Sequence, residues 1–122
     1  MKKLGLLIIL FLFAQTLSAV EPRMLSTGIG IDQRQETHDD FNVKLVFFVD
    51  NSELLANMTV EIVDARRRLI VNTVSYGPWL FLDLPEGQYF LIASRQNGDT
   101  QSTSFRAHSN TQTEVALMFP AR

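Results

Sequence analysis

From Asn42 onward, apolar and polar residues alternate in short runs, and turn-forming residues interrupt those runs about every eight to twelve positions. Because successive side chains of a strand point to opposite faces, this alternation is typical of strands that lie with one face on a core. We predict seven strands, at residues 42–49, 58–64, 69–74, 79–84, 88–96, 101–107 and 113–119. Short strands without a long helix favour an all-β fold, a seven-stranded antiparallel Greek-key β-sandwich.

Two of the predicted connections are hairpin loops. Asn97 and Gly98 both accept positive φ angles, so they predict a two-residue loop between the fifth and sixth strands. The loop between the second and third strands carries three consecutive arginines, 66–68. Three adjacent charges at a hairpin tip are typical of a solvated turn, although they also suit contact with an anionic lipid headgroup or a polysaccharide.

The segment 75–89, SYGPWLFLDLPEGQY, holds the single tryptophan and both tyrosines of the chain. Pro85 presets φ for a turn, and Gly87 is suited to the left-handed conformation. Tyr89 then begins a strand, where its ring would pack inward while its hydroxyl bonds back to the loop, as in a tyrosine corner. The sequence therefore assigns structural roles in turns to Pro78, Pro85, Gly87, Tyr89, Asn97 and Gly98.

The first residues have the three-part layout of a secretory signal: two lysines, an apolar run over 4–14, and a polar stretch that ends in small residues. The apolar run is too short to span a bilayer. Cleavage after Ala19 would leave no transmembrane segment in the mature chain. We therefore predict a signal peptide at 1–19, an N-terminal extension at 20–41, where Asp32 is placed to cap one or two helical turns, and a sandwich domain at 42–120 of an exported, periplasmic protein.

Charge and residue inventory exclude several function classes. Removal of 1–19 takes away two of the eleven basic residues and none of the thirteen acidic ones, which leaves a net charge of −4 and disfavours nucleic acid as a partner. The chain has no cysteine, only two histidines, at 38 and 108, and neither a Gly-x-Ser-x-Gly motif nor a Gly-rich phosphate loop. Nucleophilic and phosphoryl-transfer mechanisms lack their parts, so we predict a protein without catalytic residues or cofactor.

The run ETHDD, at residues 36–40, concentrates a histidine and three carboxylates, which are suitable ligands for a divalent ion. Consecutive side chains diverge in a helix or a strand, so a closed site would need ligands from elsewhere. A solvated polar segment before the first predicted strand is favoured, and no metal site is predicted.

The stretch ANMTVEIVDARRRLIVNTVSYGPWLFLDLPEGQYFLIASRQNGDTQ resembles the carboxypeptidase regulatory-like domains. Together with TGIG at 27–30, FNVKLVF at 41–47 and the C-terminal VALMF, it is similar to small exported proteobacterial proteins that consist of one such domain. The resemblance covers 26–120 and implies a prealbumin-like, immunoglobulin-like sandwich, but no activity. One departure is DARRRLI, because the related turns usually contain glycine.

Several predicted strands are apolar on both faces, which an ordinary sandwich strand is not. If Leu80, Leu82 and Leu84 enter the core, Trp79 and Phe81 must point outward. The same alternation sets Val46 and Phe48, and Phe90 and Ile92, on outer faces. The N-terminal segment offers apolar cover for such a face through Met24, Leu25, Ile29, Ile31 and Phe41. What this segment leaves uncovered would require a partner.

The candidate binding residues are aromatic: Tyr76, Trp79, Phe81 and Phe90. Protein interaction through an apolar outer face, with an envelope protein or a second copy, is the leading functional hypothesis. The alternative is carbohydrate or cell-envelope polymer binding, with sugars stacked on Tyr76 and Trp79. A glycan site usually has polar groups beside its aromatic rings, and the SYGPW segment offers only Ser75 nearby in sequence.

Overall fold

A computed structural model describes residues 22–30, 33, 36–51 and 53–120. The predicted signal peptide, Ile31 and the predicted capping residue Asp32 lie outside these ranges. The described residues form eight strands: β1 (Met24–Thr27), β2 (Val43–Val49), β3 (Met58–Asp64), β4 (Leu69–Ser75), β5 (Trp79–Leu82), β6 (Gly87–Ser94), β7 (Thr100–Ala107) and β8 (Thr113–Phe119). No helix in the described part of the chain has the length and apolar character needed to cross a membrane.

The strands form two four-stranded sheets that pack into a β-sandwich. Sheet A has the order β1-β5-β2-β8, and sheet B has the order β4-β3-β6-β7. All neighbouring strands are antiparallel except β2 and β8, which pair in parallel along their full lengths. The predicted all-β sandwich is therefore confirmed, while the purely antiparallel arrangement is wrong for this one pair.

Strands β2 to β8 lie at the positions of the seven predicted strands, and β1 is an eighth. It belongs to the predicted N-terminal extension and pairs with β5 from Met24 opposite Leu82 to Thr27 opposite Trp79. Its four residues, MLST, have no extended alternating pattern. This strand forms because it can pair with the edge of β5. Such pairing depends on tertiary structure, so the local sequence of residues 24–27 does not predict it.

The core lies between the inner faces of the sheets. In β2, Val43, Leu45, Phe47 and Val49 are buried, and the intervening residues are only partly so. Leu80 and Leu82 from β5 and Leu91 and Ala93 from β6 join the same apolar cluster. At one end of the core, Asn42 closes the sandwich: its amide nitrogen donates to the carbonyl oxygens of Leu84 and His108, and its amide oxygen accepts from the Leu84 N–H.

The turn at Asn97 and Gly98 joins β6 and β7, but it differs from the predicted two-residue loop. Arg95 and Asp99 form the closing backbone pair, so the loop has three residues, and only Gly98 takes a positive φ, of 98°. The side chain of Asn97 explains the difference, because its amide oxygen accepts a hydrogen bond of 2.9 Å from the Asp99 N–H.

At the β5–β6 turn, Tyr89 donates a 2.6 Å hydrogen bond from its hydroxyl to the carbonyl oxygen of Pro85, and its buried ring stacks on Phe105. The left-handed conformation predicted for Gly87 is wrong, since its φ is not positive. Gly87 is the first residue of β6 and pairs with Ala107, so the ladder holds it extended.

Candidate functional site

The outer face of sheet A carries two kinds of surface, which follow from strand register. One cross-strand row contains Leu25, Phe81, Lys44 and Glu114 in order from β1 to β8. The neighbouring row contains Thr27, Trp79, Val46 and Ala116, and beyond it Phe48 lies beside Met118. Lys44 and Glu114 thus bring charges to the first row, whereas the two rows through Trp79 and Phe48 consist of uncharged residues.

A return of the chain covers Phe81 in the charged row. Phe81 points away from the core but is only 2% exposed, because the rings of His38 and Phe41 lie over it at centroid distances of 4.9 and 5.8 Å. Gln112 fixes this cover by donating its side-chain N–H groups to the carbonyl oxygens of His38 and Phe41. The cover formed by residues 36–41 therefore hides most of Phe81 from solvent, so that it is not an exposed stacking platform.

An ion pair anchors the cover at its other end. The guanidinium of Arg23 donates to the carboxylate and the carbonyl oxygen of Asp40 at 3.1 and 2.9 Å, and it lies 4.0 Å from the centre of the Phe41 ring. The hydrogen bond from Arg23 lowers the pKa of Asp40 below its ordinary value. The contact is solvent-exposed, so its main effect is to orient the chain as it enters β2.

Trp79 is half-buried, and Lys44, Gly28 and Phe81 surround its indole. The Lys44 ammonium lies 3.9 Å from the ring centre, and the backbone of Gly28 passes so close that a Cβ there would come within 3.1 Å of the indole. Phe81 meets its edge at a centroid distance of 6.4 Å and an angle of 90°. A sugar could stack on this ring only if Lys44 moved aside.

A groove of about 280 Å³ opens between the cover and sheet A. Its lining includes Trp79 and Lys44 from the sheet together with Glu36, His38 and Gln112. The Nε2 atom of His38 is buried and has no hydrogen-bond partner among the described residues. It lies 3.6 Å from a Glu36 carboxylate oxygen. This groove therefore supplies the polar groups beside the tryptophan that the sequence around Trp79 does not show.

The second half of the outer face is an apolar patch that the cover formed by residues 36–41 does not reach among the described residues. We define this patch as Ile29, Val46, Phe48, Ala116 and Met118. Ile29 and Met118 are 57% and 55% exposed, and Val46 and Phe48 are partly exposed. Ile29 joins the patch from the segment after β1, where its side chain lies against Gly77. The alternation VALMF at 115–119 is the sequence signal that sets Met118 outward.

The segment Ser75 to Pro78 is a structural joint between sheets and not a platform. Ser75 is fully buried and donates to the carbonyl oxygen of Gly77, whose N–H donates to the hydroxyl of Ser26 in β1. The carbonyl oxygen of Pro78 accepts from the Phe47 N–H. Tyr76 alone projects from this joint, with 66% of its surface exposed.

The four predicted binding residues do not form one site. Trp79 and Phe81 are neighbours on sheet A, and Tyr76 lies just before β5. Phe90 belongs to β6 and faces outward from sheet B, on the opposite side of the sandwich. Sequence reasoning did not identify Lys44 or His38 as part of this face, because their contacts with the aromatic rings depend on pairing between distant segments.

The acidic segment 36–40 forms part of the cover over Phe81. His38 packs on Phe81 and Asp40 binds Arg23, as described above. Among the described residues, no group of three or more potential metal-binding side chains comes together. No protein-family model matches this chain, and a search of curated proteins finds no significant match.

Proposed function

We propose that this chain is an exported, non-catalytic β-sandwich module that binds a protein partner through the apolar patch on sheet A. The observation that carries the proposal is the division of the outer face, in which one half is covered by the protein's own chain and the other half is left open. Exposed apolar side chains grouped on one sheet face are typical of interaction surfaces. The contrast between Phe81, which is 2% exposed, and Met118, which is 55% exposed and lies further along the same outer face, supports this division among the described residues.

The partner in this proposal is an envelope protein or a second copy of the chain in the periplasm. The secretory layout of residues 1–19 supports the location. The prealbumin-like Greek-key topology and the carboxypeptidase regulatory-like family are part of the same proposal. The topology is supported by the order in which the chain crosses between sheets: β2 in A, β3 and β4 in B, β5 in A, β6 and β7 in B, and β8 in A. The family rests on the sequence resemblance over 26–120.

A photocrosslinking residue at position 118 tests the patch in the cells that produce the protein. We expect one crosslinked product of defined mass that is lost when Phe48→Ser is introduced into the same chain. The matched control places the crosslinker at Val74, which is exposed on the outer face of sheet B. Equal products from both positions, or a product that survives Phe48→Ser in a folded protein, would contradict the proposal.

Carbohydrate or envelope-polymer binding is the second candidate, and the groove beside Trp79 favours it. Glu36, His38 and Gln112 provide hydrogen-bonding groups next to an aromatic ring, as sugar sites usually do. Binding would displace Lys44 from the indole face and change the tryptophan emission. A glycan array followed by fluorescence titration tests this candidate, and an array without binding removes it.

A further inference from the structure

The outer face of sheet B presents a second apolar row, which is unrelated to the patch on sheet A. Leu69, Val63 and Phe90 are consecutive cross-strand partners on β4, β3 and β6. Leu69 and Phe90 are 48% and 41% exposed. We define these three residues as the sheet B row.

The sheet B row ends beside a cluster of arginines. The β3–β4 hairpin tip holds Arg66, Arg67 and Arg68, and Arg106 of β7 projects at the same end of the sheet, opposite Gln88. All four side chains belong to exposed residues. Among the described residues, Arg68 is the only one of the four in an ion pair, with Asp64 at 3.0 Å.

Two carboxylates border this cluster, and both are engaged locally. Asp64 accepts hydrogen bonds from the backbone N–H groups of Arg66 and Arg68 in addition to the Arg68 side chain. Glu86 accepts from the hydroxyl of Ser109 at 3.2 Å. Four arginines against two acids leave a local excess of positive charge on a chain that carries a net negative charge.

The backbone of the hairpin tip gives an independent indication that the charge of Arg67 has a role outside the fold, because a glycine would suit that backbone position better. The loop has the same hydrogen-bond pattern as the β6–β7 loop: Asp64 and Arg68 close it, and the Arg67 N–H donates to the Asp64 carbonyl, as Gly98 donates to Arg95. The left-handed position is filled by Gly98 in one loop and by Arg67, with φ of 65°, in the other. Glycine adopts this left-handed conformation without strain, so an arginine at position 67 lowers the stability relative to glycine. Nothing in the backbone of the loop requires a side chain there.

We propose that this end of sheet B binds the surface of an anionic lipid bilayer. In this arrangement, Arg66, Arg67 and Arg106 contact the phosphate headgroups while Leu69 and Phe90 enter the boundary between headgroups and acyl chains. The apolar row is what favours a bilayer over a polyanionic polysaccharide, since a polymer surface of hydrated sugars gives Leu69 and Phe90 nothing apolar to enter. The acidic residues Asp39, Asp40 and Asp83 lie with sheet A and its cover, so they can face away from the membrane. Glu61 is on the outer face of sheet B, one row beyond Val63 and further from the arginines.

Vesicle sedimentation tests the proposal with the processed chain recovered after export. The vesicles contain phosphatidylcholine alone or phosphatidylcholine mixed with phosphatidylglycerol. We expect binding only to the anionic vesicles, and loss of that binding between about 0.05 M and about 0.5 M NaCl. Arg67→Gly should weaken binding about fivefold, and Arg66→Ser combined with Arg67→Gly about twenty-fivefold, since each arginine near a charged surface contributes about 1 kcal/mol.

Matched variants separate this surface from the rest of the molecule. Arg23→Gln removes one positive charge beside sheet A and should change vesicle binding less than about twofold. Phe90→Thr should weaken it, whereas Met118→Thr, on the sheet A patch, should leave it unchanged. Arg67→Gly relieves a strained backbone, so its effect cannot be attributed to unfolding.

Three results would overturn the proposal: equal binding to neutral and anionic vesicles, equal weakening by Arg67→Gly and Arg23→Gln, or binding to a soluble anionic polysaccharide without binding to vesicles. None of these results bears on the crosslink from position 118, so this proposal and the proposed function succeed or fail separately.

Discussion

Gly77 and the carbonyl oxygen of Thr27 lie in direct contact where β1 meets the segment before β5, so a methyl group at position 77 would overlap that oxygen. The same segment is tied by hydrogen bonds from the Gly77 N–H to Ser26 and from Ser75 to the Gly77 carbonyl. The attachment of β1 to the sandwich therefore depends on a residue with no side chain.

Gly77→Ala should lower the free energy of unfolding by about 1 to 3 kcal/mol, because the backbone must shift to relieve the overlap. Urea denaturation followed by circular dichroism measures the loss. Gly87→Ala is the matched control: its φ is not positive and an added Cβ would have only ordinary contacts, at 3.9 Å or more. Its stability should change by less than about 1 kcal/mol. Equal losses in the two variants would contradict the close packing of β1.

Arg67→Gly should hold or raise the stability by up to about 1 kcal/mol, since glycine adopts the left-handed φ without the penalty that other residues carry. The reciprocal change, Gly98→Arg, should lower it by about 1 kcal/mol in the equivalent loop. Thermal denaturation of the two single variants and the double variant checks this. If Arg67→Gly destabilises the protein, the arginine side chain contributes to the fold and is not retained at a cost.

Tyr89→Phe should lower the stability by about 1 kcal/mol through loss of the hydrogen bond to Pro85. Burial, with a smaller contribution from the Asp64 carboxylate, raises the pKa of Tyr89 above 10.0. The folded state therefore favours the neutral phenol, and this contribution is complete below pH 10 and lost as the pH rises through the raised value. Denaturation between neutral and alkaline pH should show a shallower decline for Tyr89→Phe than for the parent. Tyr76→Phe, at an exposed tyrosine, is the control and should leave the decline unchanged.

Asp64→Ala should lower the stability by about 1 to 3 kcal/mol, because its carboxylate accepts the hydrogen bonds from the Arg66 and Arg68 N–H groups that hold the hairpin loop together. Although burial opposes ionisation, hydrogen bonds from the Arg68 and Arg66 N–H groups and the Arg68 side chain lower the pKa of Asp64 below 3.8. This contribution is present above pH 3.8 and is lost as the pH falls through the lowered value. Asp64→Asn keeps an acceptor for the backbone N–H groups and should lose less than the alanine variant. Similar losses in both variants would show that the salt bridge to Arg68 dominates.

Phe81→Ala should cost about 3 to 5 kcal/mol, although its side chain points away from the core, because it is buried under the cover. Met118→Ala, on the same outer face but exposed, should cost less than about 1 kcal/mol. The emission of Trp79 reports both variants and should shift to longer wavelength only for Phe81→Ala. A stable Phe81→Ala protein would mean that residues 36–41 do not cover this face in solution.

Strand positions were predictable because alternation is local. The alternation from Val43 to Val49 identifies both the strand and its buried face. The alternation in β5 likewise places Trp79 and Phe81 on a shared outer face, where the structure has them. Pairing partners were not contained in that pattern. The parallel pairing of β2 with β8 and the pairing of β1 with β5 both join segments that are distant in the chain. The local sequence of one segment does not indicate which other segment it pairs with.

The candidate surfaces were less predictable for the same reason. Trp79 could be assigned to an outer face, but the Lys44 ammonium over its ring and the Gly28 backbone close to it come from other segments of the chain. The turn at 97–98 was assigned from backbone preference alone, and the side chain of Asn97 selected a longer loop. The length of such a loop depends on a single hydrogen bond, which composition and periodicity do not predict.

The parallel pairing of β2 with β8 also sets when folding can finish. Strand β2 needs β8, the last of the described strands, as its neighbour, so sheet A stays incomplete until residues 113–119 are available for pairing. Pairings between such distant segments slow folding. Under the export proposed above, this late closure would leave sheet A unformed, and the polypeptide able to pass through a membrane in an extended state, until residues 113–119 have crossed.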